Sequence, residues 1–194
     1  MANNTTTTIW LIRHAKAGQP TGIREPDWPL TDEGQIQAQR LGTFLETQAP
    51  DHLYASPFLR ARQTLAPAAN LTGHTIKILE DLRERRLAGT LIEDFVSAMR
   101  ESFADDTQRL AGGETLAECR TRVRRAIDHI CLAHSGQSIA ACSHGAAIAS
   151  LISDLDDVDG FAMWQSLKNP HVIKLTIHDG VIGWHDLGSE ETYA

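Results

Sequence analysis

Arg13 and His14 stand side by side at the end of the apolar run Ile9-Trp10-Leu11-Ile12. A guanidinium delivered together with an imidazole suits an anionic, phosphorylated ligand. Taken alone, such a pair reads first as the polar end of a buried strand. Three further places repeat the pattern: Ser56 to Arg60, Glu84 within Arg83-Glu84-Arg85-Arg86, and Ser143-His144 after the apolar run ending at Cys142. Arg60 falls in the first turn of an expected helix, where a cation opposes the helix dipole unless an anion lies close by. His144 opens another helix, whose first residues Gly145 and Ala146 carry amides free to face an anion.

These groups can meet only if the strands that deliver them share an edge. Residues 9–12 and 138–142 are short continuous apolar runs, the pattern of strands buried on both faces in a parallel sheet. Short strands are expected at 52–55 and 75–79. Helices are expected from Thr31, as N-cap, to about Pro50, and from Ser56, as N-cap with Pro57 in the first turn, to about Asn70. Further helices are expected over about 92–103, 115–134 and 144–155. The alternating runs 172–177 and 181–185, joined by Asp179-Gly180, read as a hairpin. Strand and helix alternate along the chain, which predicts an α/β domain with a mostly parallel sheet. In such a sheet the C-terminal strand ends lie on one edge, and ligand sites gather there.

The chain has 194 residues, 42% of them hydrophobic, and a net charge of −7. That is the size of a single domain over 1–194, with residues 1–6 expected to be flexible. The acidic balance argues against nucleic-acid or membrane-surface partners, so positive charge for a phosphate must be concentrated locally. Cys119, Cys131 and Cys142 lack metal-ligand spacing and read as reduced thiols of a cytoplasmic chain. His171, His178 and His185 carry no site, and no metal site is expected. Arg120, Arg122, Arg124 and Arg125 read as a solvated helix face offset by nearby acids.

Five blocks together resemble the signature of the histidine phosphatase superfamily, in its phosphoglycerate-mutase-like branch. They are Leu11-Ile12-Arg13-His14-Ala15, Tyr54 to Thr64, Leu82-Arg83-Glu84-Arg85, Gly112-Gly113-Glu114-Thr115-Leu116 and Cys142-Ser143-His144-Gly145, in the family order over residues 9 to about 187. The resemblance implies a three-layer α/β/α fold and a metal-independent phosphatase without a cofactor, acting on phosphomonoesters of small metabolites. It makes His14 the nucleophile that carries a phosphohistidine. Arg13, Arg60 and His144 would surround the phosphoryl oxygens. Glu84 would be the general acid and then the base for water, which calls for a raised pKa. Glu80 and Asp81 are the nearest substitutes for it. The Gly112 to Thr115 block reads equally as a helix start or as part of the site.

The departures bear on the substrate. Ala15 stands where the family usually has Gly, which would crowd the approach to phosphate. Pro20 stands where many members carry a phosphate-contacting Asn, and Gln19 is the nearest replacement. Leu87 occupies the position of the Tyr that mutases use for a substrate carboxylate. Arg85 and Arg86 are candidates for a second anionic group of the substrate. The main reading is therefore a phosphatase. The alternatives are a protein phosphohistidine or phosphoprotein phosphatase, suggested by Arg13-His14-Ala15-Lys16, a phosphoglycerate-type mutase, and a non-catalytic phospho-ligand-binding regulator. A homodimer is compatible with all of them.

Overall fold

The computed structural model describes residues 5–189. Most of the start expected to be flexible, residues 1–4, lies outside that range. The chain runs β1 (Thr7–Arg13), α1 (Asp32–Gln48), β2 (His52–Ala55), α2 (Leu59–Thr72), β3 (Ile76–Ile78), α3 (Phe95–Ala104) and α4 (Leu116–Ala133). It continues through β4 (Ser138–Ser143), α5 (Gly145–Leu155), α6 (Gly160–Ser166), β5 (His171–His178) and β6 (Val181–Gly188). Short 3₁₀ turns occur at Glu25–Asp27 and Glu80–Leu82.

One six-stranded sheet, in the order β3-β2-β4-β1-β5-β6, forms the middle layer. β3, β2, β4 and β1 run parallel to one another, and the β5–β6 hairpin adds the antiparallel edge, with β5 antiparallel to β1. The period-2 alternation of β1 explains the layering. Ile9 and Leu11 point into a core with α4, α5 and α6, including Val123, Ile127, Ile148 and Met163. Trp10 and Ile12 point into the opposite core with Leu41 and Leu45 of α1 and Leu65 of α2. A strand packed by helices on both faces has no polar side, which is why its sequence is continuously apolar. The architecture is the expected three-layer α/β/α sandwich with a mostly parallel sheet. No helix among the described residues is long and apolar enough to cross a membrane.

Local readings met with some corrections. Thr31 caps α1, its side chain accepting from Gly34 N–H. α2 begins at Leu59 rather than at Pro57. Phe58 is its N-cap, and the Ser56 hydroxyl closes a turn by accepting from Phe58 N–H at 3.2 Å. That frees Ser56 for the site. α3 starts at Phe95, because Asp94 supplies the side-chain cap, accepting from Ser97 N–H. α6 was not expected: its seven residues are too few for a clear helical period, and Asp159 caps it twice. The arginines of α4 are not all a solvated face. Arg122 is 4% exposed and turned into the protein, whereas Arg124 and Arg125 pair on the surface with Asp128 and Asp81.

Candidate active site

Register brings the two histidines together. β1 and β4 run parallel with Arg13 opposite Ser143, and His14 N–H donates to the Ser143 carbonyl at 3.1 Å. Each chain leaves its strand one residue later, so His14 and His144 emerge as neighbours with ring centroids 5.1 Å apart. β5 enters beside them, because it is antiparallel and pairs His171 with Arg13.

The His14 ring is held by two bonds that define its tautomer. Nδ1–H donates to the Ala15 carbonyl at 2.7 Å, since a carbonyl can only accept. Nε2 accepts from Arg60 Nε–H at 3.1 Å and so carries the lone pair. Burial and the Arg60 guanidinium push the His14 pKa down to about 3, leaving a neutral imidazole at ordinary pH. The backbone around it is fixed as well. Asn169 Nδ2 donates to His14 O at 2.6 Å, and Thr64 Oγ1 accepts from Ala15 N–H while donating to Arg60 O.

Arg60 is 3% exposed. Besides reaching His14, it donates from Nη1 to the Glu25 carbonyl and from Nη2 to Glu25 Oε1, both at 2.9 Å. Its guanidinium lies against the rings of Phe58 and Trp28. Arg13 donates to the Leu167 carbonyl, and its Nε is buried without a hydrogen-bond partner. The guanidinium is packed on Gly145, where a Cβ would stand 3.2 Å from both Cζ and Nε. Glycine at the start of α5 therefore makes room for Arg13.

His144 is fully buried. Its Nε2 is hydrogen-bonded to the Ser56 hydroxyl at 2.7 Å, and its Nδ1 is buried without a partner. Burial first, then Arg60 and His14, hold its pKa well below the usual histidine range. Buried polar atoms without partners are costly and rare. Two of them, Arg13 Nε and His144 Nδ1, sit on residues that surround His14. An oxyanion is the kind of ligand that would satisfy a guanidinium there.

Glu84 completes the group. Its Oε1 accepts from Arg85 N–H at 2.7 Å and from Ala147 N–H at 3.3 Å, and Oε2 from Ala146 N–H at 3.5 Å. The α5 amide of Ala146 expected to be open to a ligand is thus occupied by the Glu84 carboxylate. Burial raises the Glu84 pKa against the opposing pull of the Arg85 amide and Arg60, and the Glu25 carboxylate pushes it further up. A carboxyl whose pKa is raised by burial is the kind needed for protonating a leaving group. Of the two substitutes, Asp81 is engaged elsewhere, in a two-bond ion pair with Arg125.

Other expected residues lie differently. Gln19 is exposed in the loop after β1 and joins no hydrogen bond of this group. Arg85 is buried and spends its guanidinium on Ser102 Oγ at 2.6 Å and the Glu114 carbonyl, so it is turned away from a substrate. Arg86 is exposed. The Ala15 methyl, expected to crowd the site, is buried with Leu30 and Ala38. His171 is buried as well, bonded to Asp186 Oδ1 at 2.7 Å across the β5–β6 hairpin. Among the described residues no group of three His, Cys, Asp or Glu side chains could hold a metal ion. Three contributors were missed: Glu25, Ser56 and Asn169. Glu25 lies in a Gly- and Pro-rich segment that reads as a connector, and Ser56 reads as a helix cap. Asn169 precedes β5, whose antiparallel direction alone brings it to this edge.

Residues 9–188 match the model of the histidine phosphatase superfamily, branch 1. The chain belongs to this superfamily. A probable phosphoglycerate mutase GpmB of Serratia proteamaculans is 27% identical over 167 residues, covering 79% of this chain and 77% of that protein. Phosphoserine phosphatase 1 of Hydrogenobacter thermophilus is 27% identical over 172 residues, covering 79% and 78%. Among solved structures, a mycobacterial glucosyl-3-phosphoglycerate phosphatase superposes with a TM-score of 0.78 at 20% identity, covering 95% of this chain and 99% of that one. A phosphoglycerate mutase from Bacillus anthracis superposes at 0.76 and 20%, covering 98% and 96%. A phosphatase and a mutase thus share this fold, and the activity has to be argued from the site.

Proposed function

We propose that the chain is a metal-independent phosphatase that hydrolyses phosphomonoesters of small metabolites through a phosphohistidine on His14. The observation that carries this is the His14 ring: neutral, with Nδ1–H held by Ala15 O and the Nε2 lone pair aimed at the Arg60 guanidinium. In the first step Nε2 attacks phosphorus, which takes the place of Arg60 Nε–H as the partner of its lone pair. Arg60, Arg13 and His144 then bear the charge on the equatorial oxygens, which is most of what phosphoryl transfer requires. The ester P–O bond breaks, and the leaving oxygen takes the proton of Glu84. In the second step Glu84, now a carboxylate, removes a proton from water. The hydroxide displaces His14 from phosphorus, and inorganic phosphate leaves.

Hydrolysis is favoured over mutase action by Leu87. It is buried with Met99, Ala146 and Phe161 and presents no polar group for a substrate carboxylate. Both a phosphoserine phosphatase and a glucosyl-3-phosphoglycerate phosphatase among the similar proteins are compatible with a small phosphorylated substrate.

The test is a panel of phosphorylated metabolites, phosphopeptides and 3-phosphoglycerate with its bisphosphate, scored for phosphate release in the presence of a chelator. Release from small monoesters is the expected result. Isomerisation faster than release would instead make the chain a mutase. Activity confined to phosphohistidine peptides would make it a protein phosphatase, and binding without turnover a regulator.

A further inference from the structure

Glu84 lies in a segment, residues 83–88, that belongs to no helix or strand. Its backbone therefore has no ladder to hold it, although a proton donor must be placed to within a fraction of an ångström. The structure supplies a substitute from α4. Arg122, two turns into that helix, is buried and points at the back of the segment. Its Nη1 donates to the carbonyls of Asp81 at 2.9 Å and Arg83 at 2.7 Å, and its Nη2 to that of Glu84 at 3.2 Å. The remaining N–H groups go to Glu114, Nε to Oε2 at 3.1 Å and Nη2 to Oε1 at 2.5 Å. All five donors of one guanidinium are thus committed, three to the chain around Glu84 and two to a single carboxylate.

Glu114 closes the clamp from the other side. Its carboxylate accepts from Arg86 N–H and from Arg83 Nη2, both at 3.2 Å, and its own amide donates to the Arg86 carbonyl at 2.8 Å. The approach is close because residue 113 is glycine: a Cβ there would lie 2.2 Å from the Leu87 carbonyl oxygen. The Gly112-Gly113-Glu114-Thr115 block thus has two jobs. Thr115 caps α4 in a reciprocal arrangement with Glu118, and Glu114 reaches back to the segment that carries Glu84.

We infer that Glu114 and Arg122 are positioning residues that hold the backbone of Glu84 so that its carboxyl can protonate the leaving group. The inference rests on the proposed role of Glu84. It predicts a defect of a particular kind. A misplaced acid harms esters whose leaving group needs a proton and spares those whose leaving group does not. A general loosening of the fold would harm both alike.

The experiment compares kcat/KM for an alkyl phosphate and for 2,4-dinitrophenyl phosphate in the full chain and in Glu84→Gln, Arg122→Lys and Glu114→Gln. This ratio reports the steps up to formation of the phosphohistidine. Glu84→Gln should lose roughly 10²–10⁴-fold on the alkyl ester and less than tenfold on the activated one. Arg122→Lys and Glu114→Gln should show the same selectivity at about 10–100-fold, the usual effect of an outer partner. Selectivity in Glu84→Gln with uniform losses in both other variants overturns the inference alone. Uniform loss in Glu84→Gln overturns the acid role of Glu84 and the inference with it. Glu114→Gln keeps the side-chain shape and one acceptor, so it gives the answer even if Arg122→Lys does not fold.

Discussion

Glu25 grips the outer edge of Arg60, through its carbonyl to Nη1 and its carboxylate to Nη2, while the inner edge of the same guanidinium faces His14. The arginine proposed to bind the phosphoryl group thus already has an anion. Glu25 is half-exposed and Arg60 is buried, so the pair is poised between a surface bridge and an interior one. It also places a second carboxylate near Glu84, whose pKa it helps to raise.

Replacing Glu25 by Gln should therefore have two effects. Phosphate and vanadate, which compete with the carboxylate for Arg60, should inhibit about threefold more tightly, as expected for a partly exposed ion pair. The Glu84 pKa should fall, so the alkaline limb of the kcat/KM profile should move to lower pH. Inhibition constants and a pH series measure both, and weaker inhibition would show that Glu25 organises Arg60 for the ligand instead of competing with it.

His14→Ala removes the proposed nucleophile while leaving both arginines. Hydrolysis of an aryl phosphate should fall by about 10⁴-fold or more, and acid-labile labelling by ³²P-substrate should disappear. Quenched-flow labelling checks this, and label persisting in the variant would move the nucleophile elsewhere.

Gly145→Ala should reduce kcat/KM by about tenfold with little loss of stability. The new Cβ presses on Arg13 Cζ and Nε at 3.2 Å, and helix α5 otherwise tolerates alanine at its first position. Thermal melting alongside kinetics separates the two effects. A melting point that falls in step with activity would contradict the local explanation.

Acid should destabilise the fold in two stages. His14 is held near 3 and His144 well below its usual range, so below about pH 6.5 the unfolded chain binds two protons that the folded one does not. Each contributes a loss of about 1.4 kcal/mol per pH unit on acidification. Glu84 acts in the opposite sense. Its raised pKa lets the folded state take up a proton above the ordinary carboxyl value, offsetting part of that loss until the unfolded carboxyl also protonates near 4.5. Urea denaturation from pH 6.5 to 4 in phosphate-free buffer should therefore steepen near pH 4.5. In Glu84→Gln the steeper slope should begin at higher pH, and an unchanged profile would mean that the carboxyl is not protonated in the folded state.

Phosphate should bring protons with it. The anion gives His144 and His14 an opposite charge in a dry site, which favours their charged forms. Titration calorimetry in buffers of different ionisation enthalpy should show net proton uptake near pH 6. Uptake that survives in His144→Gln at full size would assign it to His14.

The sequence by itself determined the layers of this fold and the residues that gather at the sheet edge. β1 and β4 are apolar on both faces, which is possible only between two layers of helices, and the polar residues that end them must then lie on the C-terminal edge. Short-range rules also placed Thr31 as a cap and Asp179-Gly180 as a turn, because those signals act within four residues. What only the tertiary structure decided is the use of each charge. Arg85, Arg86 and Arg122 look alike in a string, yet one binds Ser102, one faces solvent and one clamps the backbone around Glu84. Glu25 and Ser56 come to the site through the exit of a loop and of a turn, and Asn169 through the antiparallel direction of β5. Those placements depend on contacts between residues 30 to more than 150 positions apart, which periodicity and propensity do not record.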